Sequence, residues 1–157
     1  MKFSIRAANV EDCKDMLRMI MVSGHMHAYL EQDGFSKNPL FHGLIAEVPE
    51  RHKTKEGQTK IGYALYFYTY SSFSGRAVYM EDLYVMPEFR GEGIGKALMS
   101  KWVLSMCIDL CLNFTILNWN KSSLDFYHSL GCYDITTTMG YHCMRCEGEA
   151  LEHLAQP

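Results

Sequence analysis

The 157-residue chain is long enough to bury one real core and too short for two ordinary ones, so one domain over residues 1–157, with one functional site, is expected. Apolar residues at 48% and charged residues at 21% fit a folded globular protein, and no uninterrupted apolar stretch approaches the roughly 18 to 20 residues that span a bilayer. Fifteen Lys and Arg against 18 Asp and Glu give a formal charge of −3, which argues against nucleic acid as a partner and suits a cationic one.

The start, "MKFSIRAANVEDC", has no apolar signal-peptide core, so a cytoplasmic address is expected, and the six cysteines then read as free thiols filling a core. "KFSIRAA" alternates, with Phe3 and Ile5 on one side, and predicts a first strand. Asn9 precedes an amphipathic helix whose stripe is Cys13, Met16, Leu17, Ile20 and Met21, with Asp12 at the third position as a capping arrangement asks and an end near Gly24. Residues 25 to 40, "HMHAYLEQDGFSKNPL", read either as a short helix or as a loop with "DGF" as its turn. His25 and His27 receive no role.

"FHGLIAEV" predicts a strand, and "PERHKTKEGQ" a charged surface loop. "TKIGYALYFYTY" and "AVYMEDLYV", joined by "SSFSGR", predict a long hairpin rich in aromatic and β-branched residues. After Pro87 a glycine stretch opens a helix whose buried stripe is Ile94, Leu98, Trp102 and Met106. Cys107 and Cys111 share one helical face and read as core. "CLNFTILN" predicts a strand, and "SSLDFYHSL" a helix with a capping box of Ser122 and Asp125 and Gly131 as its stop. "CYDITT" and "YHCMRCEG" are expected as the last strands and "EALEHL" as a terminal turn. Cys143 and Cys146 could be half of a zinc site, but a second pair is missing, and no metal is expected. The fold class expected is mixed α/β (α+β), with a largely antiparallel N-terminal half.

"EFRGEGIGKAL", residues 88 to 98, packs three glycines into five positions between a strand and a helix. Such a loop aims several N–H groups outward at the positive end of a helix dipole, and bare glycine lets phosphate oxygens approach them. A Walker loop would need glycine where Arg90 stands and Ser or Thr where Ala97 stands. A dinucleotide fingerprint would need its third glycine two residues later, inside a parallel βαβ unit.

"RGEGIG" after a strand ending "VMPEF" resembles the acyl-coenzyme A loop of the Gcn5-related N-acetyltransferases. Together, "YMEDLYVMPEFRGEGIG" and, about thirty residues on, "NWNKSSLDFYHSLG" are similar to the spermidine/spermine acetyltransferase branch. The "SSFSGR" loop and the tail "CEGEALEHLAQ" bring the chain nearest to the members that acetylate thialysine. The resemblance implies a central, mostly antiparallel sheet with flanking helices and splayed middle strands, acetyl-CoA as co-substrate, a homodimer, and a small-molecule amine as acceptor. Thialysine or a lysine-like amine heads the acceptors, ahead of polyamines and then a protein lysine or N-terminus.

Acetyl transfer to an amine needs an acceptor for the ammonium proton, since a primary ammonium has a pKa of about 10.4, and a donor for the departing thiolate. By resemblance these are Glu81, acting through water, and Tyr127. Two acids on a strand also serve simply to protect an edge, and Tyr127 with Leu124 and Leu130 could be ordinary packing. Glu81 and Asp82 would face opposite sides of the sheet unless a bulge intervenes; both are expected to meet the substrate. Backbone N–H groups of Arg90, Gly91, Glu92, Gly93, Ile94, Gly95 and Lys96 would hold the pyrophosphate, with the Arg90 side chain assisting. Lys96 either touches phosphate or sits in solvent. Leu83 and Val85 would pair with pantetheine amides, and Asn120 and Ser122 would lie near the pantetheine or the adenosine.

Two departures bear on the acceptor. Where polyamine enzymes of the branch carry "YDPW", this chain has "YSSF", so Ser71 removes a carboxylate that helps hold a second ammonium. The helical segment around residues 22 to 31 is also shorter than in the family. An alternative function is therefore a coenzyme A-binding homologue with impaired turnover, acting as a regulatory module; another is an interaction scaffold.

Overall fold

A computed structural model describes residues 1–20, 26–104 and 111–156. The expected helix end near Gly24, and the stripe positions Met21, Met106 and Cys107, lie outside the described residues. The chain resolves into two compact units, Met1–Thr115 and Ile116–Pro157.

The first unit is a five-stranded sheet in sequential order: β1 (Ser4–Ala7), β2 (His42–Glu47), β3 (Lys60–Ser71), β4 (Gly75–Val85) and β5 (Cys111–Asn113). The first four strands pair antiparallel and β5 joins β4 in parallel, which gives the expected mixed, mostly antiparallel sheet. Helices α1 (Cys13–Ile20) and α2 (Met26–Phe35) cover one face and α3 (Ile94–Leu104) the other. Alternation along the strands feeds both layers. Ile45, Tyr63 and Leu65 pack with Cys13, Met16, Met19 and Leu30, while Leu44, Ala46 and Ala64 pack with Ile94, Leu98 and Trp102. The stripe Ile94, Leu98, Trp102 is buried as its spacing requires.

Asn9 caps the first helical turn together with Asp12, each side chain accepting from the other's end of the turn. Asp12 does more. Its carboxylate, almost wholly buried, accepts from the two terminal guanidinium nitrogens of Arg6 at 2.7 and 2.8 Å and from Lys60 Nζ at 2.7 Å. These contacts pin β1, α1 and β3 together. "DGF" lies inside α2 and makes no turn: a Cβ at Gly34 would run into the Phe41 ring, so glycine is there for close packing.

The second unit holds α4 (Lys121–Ser129), α5 (Ile135–Met139) and α6 (Glu149–Leu154). The expected Ser122 and Asp125 capping box does not form; Asn120 is the cap, its Oδ1 accepting from the Ser123 amide at 3.2 Å. Gly131 does end α4, at φ 87°, with amides of Gly131 and Cys132 closing on the carbonyls of His128 and Tyr127. "CYDITT" is corrected from strand to helix. The Asp134 carboxylate accepts from the Thr136 amide at 2.9 Å and the Thr137 hydroxyl at 2.6 Å, so a helix cap outweighs the β preference of the threonines. The strand expected at "YHCMRCEG" is absent among the described residues; 141–147 run exposed and without regular structure. Cys143 and Cys146 are exposed there.

Candidate functional site

β4 outruns its neighbour. Its pairing with β5 covers Ala77, Val78 and Tyr79, opposite Cys111, Leu112 and Asn113, whereas β4 itself continues to Val85. From Met80 onward that edge of β4 meets no strand among the described residues. The opening begins beside an irregularity: Asp82 is in register with Leu65 and Met80 with Tyr66, so Glu81 is an extra residue without a partner on β3. A bulge of this kind bends the strand and re-aims side chains. The strict opposition of Glu81 and Asp82 therefore does not hold here, and Glu81 is exposed.

Hydrogen-bond alternation fixes what the open edge presents. The Met86 amide donates to the Ile61 carbonyl at 2.8 Å, which makes that pair a bonded one. Counting back, Tyr84 and Asp82 turn their main-chain groups toward β3, and Leu83 and Val85 turn theirs to the open edge. The Val85 carbonyl already accepts from Arg90 Nε at 2.8 Å, leaving its N–H for a ligand.

The glycine loop follows directly. A short turn over Pro87–Phe89 buries Phe89 and delivers the chain to Arg90, whose guanidinium also lies 5.7 Å from the Tyr84 ring centroid. Gly91 and Gly93 take φ values of 82° and 80°, in the left-handed region where a side chain costs about 1 to 2 kcal/mol, and nothing lies within 4 Å of where their Cβ atoms would be. Gly93 accepts the first bond of α3, from Ala97 N at 2.9 Å. The amides of Ile94, Gly95 and Lys96 therefore precede the helical ladder and carry the positive end of its dipole. Ile94 is buried, which fixes this end of the helix, while Glu92 and the Lys96 side chain are exposed. This open, donor-rich loop beside a strand edge is a physical fit for a diphosphate followed by an amide-bearing arm.

Asp82 has a partner that strand alternation alone does not reveal. The hydroxyl of Tyr63, a residue 1% exposed, donates a short hydrogen bond to Asp82 Oδ2. Burial and then the adjacent carboxylate push the Tyr63 phenol far above its ordinary range, so it stays protonated as a donor. Tyr63 stands two residues before Leu65, which faces Asp82, and this diagonal exists only once the register of β3 and β4 is known.

In the second unit, Asn120 is the N-cap of α4, Ser122 is exposed on its first turn, and Tyr127 lies half-buried two turns along. The Tyr127 ring packs edge-on against Phe126 at 5.0 Å. Among the described residues no group of three or more His, Cys, Asp and Glu side chains is placed to hold a metal ion.

Comparison with known proteins shows the family. The profile of the acetyltransferase (GNAT) family matches residues 16–132. The thialysine N-epsilon-acetyltransferase of Sus scrofa is 40% identical, over 96% of this chain and 96% of that protein. The human spermidine/spermine N(1)-acetyltransferase-like protein 1 is 34% identical over 98% of this chain and 24% of its own length. Among solved structures, an integron cassette protein from the mobile metagenome of V. cholerae superposes with a TM-score of 0.75 at 24% identity, covering 100% of this chain and 99% of that one.

Proposed function

The chain belongs to the acetyltransferase (GNAT) family, and we propose that it moves acetyl from acetyl-CoA to the primary amine of a lysine-like small molecule, thialysine first and polyamines second. The observation that carries the proposal is the continuity of the open β4 edge with the glycine loop: Leu83 and Val85 turn main-chain groups outward, and a few residues later the unladdered amides of α3 begin. A pantetheine arm laid along the edge leads its diphosphate to those amides.

The amine attacks the thioester carbonyl directly, in a ternary complex, and no cysteine carries the acetyl group. Glu81, lifted off the β3 ladder, accepts the ammonium proton through water. Tyr127 protonates the leaving thiolate, a role supported by its place in the family motif. Asp82 meets the cationic acceptor, Arg90 and the Gly91–Lys96 amides hold the pyrophosphate, and Asn120 and Ser122 attend the coenzyme. Residues 1–157 work as one domain, a reading supported by the family profile, which runs across the junction of the two units. A cytoplasmic homodimer accompanies this function, a reading supported by the family resemblance alone.

Purified protein is offered acetyl-CoA with thialysine, lysine, spermidine, spermine or a lysine peptide, and free thiol is followed. Thiol release is expected with thialysine above the others. Stabilisation by acetyl-CoA with no release for any amine would support a coenzyme-binding regulatory homologue instead.

A further inference from the structure

We propose that Tyr63 is a positioning residue for amine recognition: its buried hydroxyl holds the Asp82 carboxylate at the open edge of β4, with one oxygen engaged and the other turned to an ammonium group. The proposal rests on the acetyltransferase function above and names a residue that function leaves unused. Tyr63 reaches Asp82 Oδ2, and Oδ1 accepts no protein hydrogen bond among the described residues. Tyr63 itself is held by packing. It is 1% exposed, sits in the α1 and α2 face of the core, and its ring lies 6.1 Å from that of Tyr84.

The position asks for an aromatic ring to fill the core but not for a hydroxyl. Phenylalanine would occupy the same volume with no buried polar atom to satisfy. A phenol that reaches across from β3 to a carboxylate one residue from the bulge instead restricts that carboxylate before the acceptor arrives. Restricting a charged group in advance lowers the ordering cost of binding. The hydroxyl should therefore act on acceptor affinity, not on coenzyme affinity.

The test compares wild type, Tyr63→Phe, Asp82→Asn and the double variant, with acetyl-CoA affinity by calorimetry and steady-state kinetics on thialysine. Tyr63→Phe is expected to raise KM for the amine about tenfold, the usual worth of a hydrogen bond to a charged group, with kcat and acetyl-CoA affinity each within about threefold. In the Asp82→Asn background the same change should have little further effect. An unchanged KM in Tyr63→Phe, or effects that simply add in the double variant, overturns the role of Tyr63 while leaving the enzyme intact. A folded wild type that takes up no acetyl-CoA overturns the function itself, and this role with it.

Discussion

Arg90 Nε donates to the Val85 carbonyl at 2.8 Å, tying the first residue of the glycine loop to the last residue of β4. The bond orients the loop relative to the open edge, so the two halves of the proposed coenzyme path share one geometry. Arg90→Ala removes the tie and a positive charge together. Acetyl-CoA affinity by calorimetry should fall about 10- to 100-fold, the range for charge-assisted hydrogen bonds. Unchanged affinity would show that the loop holds its shape without Arg90.

Gly93→Ala places a side chain at φ 80° in the residue that accepts the first α3 bond. Strain of about 1 to 2 kcal/mol is expected either as lost stability or as a loop that shifts to relieve it. A loop that shifts moves its amides off the diphosphate, so acetyl-CoA should then stabilise the variant less than wild type in thermal melts, whereas a loop that keeps its strained turn should melt lower and gain as much from acetyl-CoA. A shifted loop with full stabilisation would mean that the left-handed conformation is not needed for binding.

Tyr127→Phe should lower kcat by about 10- to 10³-fold with acetyl-CoA affinity retained, as loss of a general acid does. Glu81→Gln should lower kcat/KM at neutral pH by roughly 10²-fold through loss of the proton acceptor. Rates that survive either substitution would remove that residue from the mechanism.

Ser71→Asp tests acceptor choice at the hairpin tip. Ser71 Oγ accepts from the amides of Phe73 and Ser74, each at 3.2 Å, and an aspartate can keep those bonds while adding a charge. KM for spermidine should fall several-fold relative to that for thialysine, on the order of one exposed ion pair. An unchanged ratio would separate the tip from acceptor recognition.

The Asp12 cluster sets an acid limit on stability. Burial alone would raise the Asp12 carboxyl, but hydrogen bonds from Arg6, Lys60 and the Asn9 amide outweigh it and hold the group well below the usual carboxylate range. A depressed folded-state value means stabilisation that is full above the unfolded value of about 3.9 and lost as pH falls below it. Denaturant titrations should show wild-type stability dropping below about pH 4, with a shallower slope in Asp12→Asn. Parallel slopes would place the acid sensitivity elsewhere.

Much of the first unit was legible because burial follows alternation. The strand and helix stripes at Ile45, Ala64 and Leu98 face the core as their periods require. The bulge was only conditional in the sequence, since Glu81 and Asp82 look alike until the register of two strands is known. The Tyr63 bond was hidden for the same reason: a cross-strand diagonal needs that register. In the second unit, side-chain capping by Asp134 decided a helix where threonine-rich sequence reads as strand.

The most direct measurement is calorimetric titration of acetyl-CoA into the folded protein. Saturable, stoichiometric uptake that weakens in Arg90→Ala is the predicted result. No heat of binding from protein that melts cooperatively would contradict the account at its root.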